Sequence, residues 1–183
     1  MTKSFKESWD LHKALSLTPA ADEIENIPIP PAKDKTPVKG GQIRLMAGMV
    51  GFNWVLVMRS WGKDTWVVMP YSWLDVPGDA EFRSAYEGPW GRKVLQVWNT
   101  MTLAAETLEV CPVWDEAPEE AVKEAWGTWA YSLTGKELPG WIMPDIGSAD
   151  PESFDEYQSE VFKTWAEVSA KDLALQLGEE EAE

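Results

Sequence analysis

The chain reads as α+β: a small antiparallel sheet or barrel with an N-terminal helix and C-terminal helices. Two observations carry that expectation. Residues 42–112 break into short runs rich in Val, Trp, Leu and Met, separated by Gly, Pro and Asp, the pattern of strands joined by tight turns. Residues 4–17, 116–134 and about 150–178 instead set apolar side chains at helical spacing.

In chain order, Ser4 followed by Glu7 fits a capping box, in which each side chain satisfies a free backbone N–H of the first turn. Phe5, Trp9, His12 and Leu15 or Leu17 then share a face, and Pro19 ends the helix. Five Pro between Thr18 and Gly41 make that stretch a linker, since paired Pro30 and Pro31 favour extended geometry. Strands are expected in QIRLMAG, NWVLVMRSW, DTWVVMPYSW and RKVLQVWNTMTL. The four-residue link Trp61–Asp64 suits a hairpin. Trp54 to Met58 is apolar throughout, as in a strand covered on both faces. After Pro118, Glu119 and Glu120 complement the positive end of a helix. Its expected apolar stripe is Val122, Ala125, Trp126, Trp129, Ala130 and Leu133, and Gly135 stops it. A last helix begins at Asp150-Pro151, with Phe154, Tyr157, Val161 and Trp165 on one face and acid on the other. The organisation expected is 1–18 helix, 19–40 linker, 41–135 sheet unit with its helix, and 136–183 acidic helical extension.

The chain has 183 residues and a formal net charge of −15. Residues 113–183 hold four basic and eighteen acidic residues, so nearly all of the excess sits there. Such a surface repels DNA and disfavours RNA. The near-neutral middle holds six of the twelve Trp, so an anionic partner is not excluded there. One Cys (Cys111) and one His (His12) exclude a disulfide framework, a Cys-rich zinc site and a multi-histidine metal site. No cofactor is expected. No run reaches 18 consecutive apolar residues, and residues 1–13 lack an apolar signal core, so a cytoplasmic protein without a membrane span is expected.

No phosphate loop, HExxH or GxSxG is present. Two groups could carry chemistry. Trp61, Trp66, Trp73, Trp90 and Trp98 could offer rings for sugars or bases to stack on; the plainer reading is core packing, with Trp90 in its Gly-Pro-Trp-Gly turn the most exposed. Asn53, Arg59, Ser72, Asp75 and Arg83 could converge where the middle strands end, an Arg stabilising a phosphorane and a Ser bonding a phosphate. The plainer reading is solvated arginines paired locally. His12 reads as a packing residue and Cys111 as a small hydrophobe.

The order of elements in residues 40–135 resembles the PemK/MazF family of plasmid-maintenance toxins. The matching pieces are Gly41-Gln42-Ile43, the strand Trp54–Val57, the strand Val67–Pro70 with Ser72 just after it, and Lys93–Asn99 followed by a helix. The resemblance implies an SH3-like β-barrel, a homodimer or protein partner, and in many members RNA cleavage. It puts Ser72 where the family often has a catalytic Thr or Ser. The Arg usually found immediately before the second strand is replaced here by Asn53 and Trp54, so Arg59 or Arg92 would have to stand in. The balance therefore falls on a degenerate, non-catalytic interaction module, with Trp73, Trp90, Asn53 and Asp75 as candidate ligand contacts. The alternatives are an endoribonuclease using Ser72 and Arg59, a Trp-lined carbohydrate or small-ligand domain, and an acidic C-terminal segment folded back over the barrel as a built-in inhibitor.

Overall fold

The run Trp54–Met58 is buried along its whole length because its strand has a neighbour on each edge and a core on each face. The computed structural model describes residues 4–16, 35–48, 51–135, 145–147 and 149–163. In order they form α1 (Phe5–Ser16), β1 (Gln42–Gly48), β2 (Gly51–Ser60), β3 (Thr65–Pro70), β4 (Glu81–Arg83), β5 (Val94–Gln96), β6 (Met101–Ala104), α2 (Ala105–Glu109), β7 (Val113–Glu116), α3 (Glu119–Thr134) and β8 (Asp145–Ile146). Residues 151–163 form a last helix, α4. One antiparallel sheet runs β6-β3-β2-β1-β7 and a smaller one β5-β4-β8. The α+β class is as expected. Leu17, the linker and the continuation of α4 toward Gly178 lie outside the described residues.

Alternation along the strands separates two cores. Ile43 and Leu45 of β1, Trp54, Leu56 and Met58 of β2, and Val67 and Met69 of β3 face α3 together with Phe82, Leu95 and Val97. Met46, Val55, Val57 and Val68 face the other way, onto Phe5 and Trp9 of α1 and Phe154, Tyr157 and Val161 of α4. The terminal helices thus complete a core rather than standing apart from the sheet. The helix starts follow the expected chemistry. Glu7 accepts from the Ser4 N–H at 2.8 Å while Ser4 Oγ accepts from the Glu7 N–H at 3.3 Å. Asp150 Oδ1 accepts from the Ser153 N–H at 2.9 Å.

Several expectations change. The run Lys93–Leu103 is two strands in different sheets, β5 and β6, with a 3-10 turn at Val97–Asn99 between them. The strands β4, β7 and β8 and the short α2 were not expected; each is too short to show a period. The buried stripe of α3 is Ala121, Ala125 and Thr128. Small residues let the helix sit close to the sheet, while Trp126 and Trp129 flank the contact half-buried and Leu133 is 66% exposed.

Arg44 is a buried cation that the sequence did not reveal. It is fully buried in β1. Its guanidinium donates to Leu108 O at 2.6 Å, Cys111 O at 2.8 Å, Thr36 O at 2.9 Å and Gln42 Oε1 at 2.7 Å. Burial lowers its pKa, and the fork gathers the segment before β1 and the α2–β7 link into one unit. Replacing it by Met should leave those carbonyls without their donor and cost about 3–5 kcal/mol. Arg44→Lys should recover little, because one ammonium cannot reproduce the fork. Urea unfolding of the two variants checks this.

Candidate functional site

Ser72 stands where the chain passes from one sheet to the other. Tyr71 N–H still donates to Trp54 O of β2 at 2.9 Å, whereas Ser72 N–H donates to Val94 O at the start of β5, at 2.8 Å. Glu81 of β4 lies opposite Gln96 of β5, so both side chains reach the same junction. From above, α4 lowers Tyr157 into it.

The result is a buried polar knot. Ser72, Glu81 and Tyr157 are all fully buried, and Gln96 and Asn99 nearly so. Tyr157 OH lies 2.8 Å from Ser72 Oγ and 3.2 Å from Glu81 Oε1, and accepts from Gln96 Nε2 at 2.6 Å. Glu81 also accepts from the Gly78 N–H at 3.0 Å and from Trp98 Nε1 at 3.3 Å, with Ser72 Oγ at 3.5 Å. Ser72 Oγ accepts from the Leu74 N–H at 3.2 Å. Asn99 Nδ2 donates to Gln96 Oε1 at 3.0 Å. Each buried polar atom of the knot thus has a partner, as burial demands.

Aromatic rings roof it. Phe5, Trp9, Trp73 and Trp98 approach the Tyr157 ring edge-on, with centroids 5.4–6.3 Å away. Gly78 closes the side: a Cβ there would stand 2.4 Å from the Phe154 ring and 2.8 Å from Phe5. Outside the roof, Trp9 Nε1 and Lys13 Nζ both donate to Glu156 Oε2, at 2.9 and 2.8 Å, tying α1 to α4.

The expected site residues separate. Ser72 is at the centre. Asn53 is buried and accepts from Trp73 Nε1 at 2.5 Å. Trp73 is half-buried and stacks on His12, which also stacks on Trp9. Burial, then the charge of Arg92, lowers the His12 pKa. Asp75 is exposed, and its backbone carbonyl accepts from Arg83 at 2.7 Å. Arg92, not Arg59, reaches Ser72, but donates to its backbone carbonyl at 3.0 Å and not to its hydroxyl. Arg59 pairs with Val67 while Pro70 pairs with Val55, which puts it roughly 20 Å along the strand from Ser72. Its guanidinium lies 4.3 Å over the Trp126 ring. Trp90 is in a 3-10 turn, Pro89–Gly91; its side chain lies outside the described residues. Of the Trp set, Trp61 on the β2–β3 hairpin is open, at 58% exposed. No cluster of three or more metal-ligating side chains exists among the described residues.

Sequence reasoning missed Glu81 and Tyr157 as members of a site. The one signal was a tyrosine in the apolar stripe Phe154–Tyr157–Val161, since a buried phenol needs a partner.

Burial raises the Glu81 pKa to about 7, against the opposing pull of its hydrogen bonds to Gly78, Trp98, Tyr157 and Ser72. Between the unfolded value near 4.5 and that value, the folded chain holds a proton that the unfolded chain has released. Stability from this group is therefore complete below about pH 4.5 and is lost as pH rises through about 7, by at most about 3 kcal/mol. In urea titrations between pH 4.5 and 8, Glu81→Gln should remove this part of the slope whatever its cost at a single pH.

No protein-family model matches the chain, and no curated protein matches it. Among solved structures it is similar to a chain in the crystal structure of MazE-MazF (Form-II) from Deinococcus radiodurans, at 17% identity and a TM-score of 0.44. The likeness, weak and partial, covers 56% of this chain and 99% of that one.

Proposed function

We propose that this chain is a degenerate PemK/MazF-like module that acts through protein contacts, as a homodimer or with another protein, and does not cut RNA. One observation carries the reading: the Ser72 hydroxyl is fully buried and already engaged by Tyr157 and the Leu74 N–H. A group that assists phosphodiester cleavage must come within hydrogen-bond reach of its substrate, and here two helices and a ring of aromatic side chains stand between. The positive charge that would stabilise the transition state is also misplaced. Arg59 is at the far end of β2, and Arg92 addresses a backbone carbonyl.

Because Tyr157 lies only seven residues into α4, the barrier is built from the C-terminal segment itself. The same arrangement supports reading that segment as a self-covering element. Full-length protein incubated with a mixed pool of RNA should leave every species intact at both pH 6 and pH 8. Site-specific cleavage at either pH would contradict the reading.

A further inference from the structure

On the opposite side of the molecule from the knot's roof, a groove of about 710 Å³ runs between the loop after β4 and the first turns of α3. Its lining is mostly carbon: Ala85 and the Tyr86 ring on one wall, Pro118 and Ala121 below. The volume lies in the range that holds a drug-sized ligand or a few side chains.

Its walls are already fixed. Ser84 Oγ donates to Glu124 Oε2 at 2.8 Å, pinning the loop to α3. Tyr86 OH donates to Asp115 Oδ2 at 2.9 Å, pinning it to β7, and Tyr86 N–H donates to Ser84 Oγ at 3.1 Å. A ligand would therefore find the groove formed, with little ordering left to do.

The rim is acidic. Glu120 and Glu124 line it, with Asp115 at the Tyr86 end. Lys123 is the base among the described lining residues, and Glu119 holds its ammonium at 2.7 Å. The positive end of α3 offsets only about half a charge, so the field at the groove stays negative. An acidic or phosphate-bearing occupant would be repelled. A purely apolar one would leave the carboxylates unused.

We infer that this groove docks a short extended segment of a partner protein in which apolar side chains alternate with Lys or Arg. The apolar residues fill the floor over Pro118 and Ala121, and a cation meets Glu120. The assignment rests on the interaction-module reading above and names its contact surface and the chemistry of its partner.

The test uses full-length protein and a fluorescein-labelled octapeptide of alternating Leu and Lys, with an octapeptide of alternating Leu and Glu as its counterpart. Fluorescence anisotropy should show saturable binding of the lysine peptide alone. Glu120→Lys should weaken it about tenfold. Glu106→Lys should change it by less than about twofold, because that exposed carboxylate lies at the start of α2, where Ala105 N–H donates to Asp64 O of the β2–β3 hairpin. Absence of saturable binding, or equal loss in the two charge-reversal variants, would overturn the groove, the second by showing attraction to the whole acidic surface. RNA cleavage by the same preparations would overturn the reading beneath it, whereas no binding together with intact RNA removes the groove alone.

Discussion

A carboxylate buried away from water must be neutral or well bonded, and in this chain Glu81 organises its surroundings on that condition. Its four neighbours come from four places: Gly78 before β4, Ser72 after β3, Trp98 after β5 and Tyr157 from α4. Removing any one would leave the buried carboxyl short of a donor. Both sheets and the C-terminal helix are thereby tied to one point, and the aromatic roof follows because the tyrosine that reaches Glu81 must itself be covered. The tryptophan excess then has a physical use. Large rings with one polar tip can shield a polar centre while Trp98 and Trp73 each spend their N–H on a neighbour.

How much of this was legible depends on the element. The central strand was readable because both its faces are apolar, and the capping chemistry of α1 was readable because Ser4 and Glu7 carry it locally. The strands β4 and β7 were not, since three or four residues show no period and their pairing comes from distant partners. The stripe of α3 was legible in part: Ala125 is in the core and Val122, Trp126 and Trp129 pack against it, whereas Ala121 and Thr128, also buried, were missed and Leu133 is exposed. At the site, Ser72 could be picked out as a hydroxyl after a strand end, whereas its partner Glu81 could not. Nine positions separate them in sequence, and nothing local distinguishes a buried glutamate from a solvated one. Arg44 and Arg59 make the same point. The first, set in an apolar strand, is fully enclosed; the second, expected near Ser72, stacks on Trp126 instead.

The charge distribution also takes on a different meaning. The acidic C-terminal portion looked separable from the sheet. Its described helix is amphipathic in a stricter sense: Phe154, Tyr157 and Val161 enter the core while Glu152, Asp155 and Glu160 face water. Glu156 binds Trp9 and Lys13 of α1, so part of the acidity fastens the two terminal helices together. Another face carries a groove with largely carbon walls and carboxylates at its rim, so acidity there edges a hollow instead of joining two helices.

The closing of α4 over Ser72 is most directly read by native-state hydrogen exchange of the full chain. If the Tyr157–Glu81 contact holds the helix to the sheet, the amides of residues 154–161 and the Trp98 indole N–H exchange only through global unfolding, with the same opening free energy as the amides of β2. Exchange of the α4 amides through a much cheaper local opening, while β2 stays protected, would show a helix that detaches by itself and a serine that is not sealed.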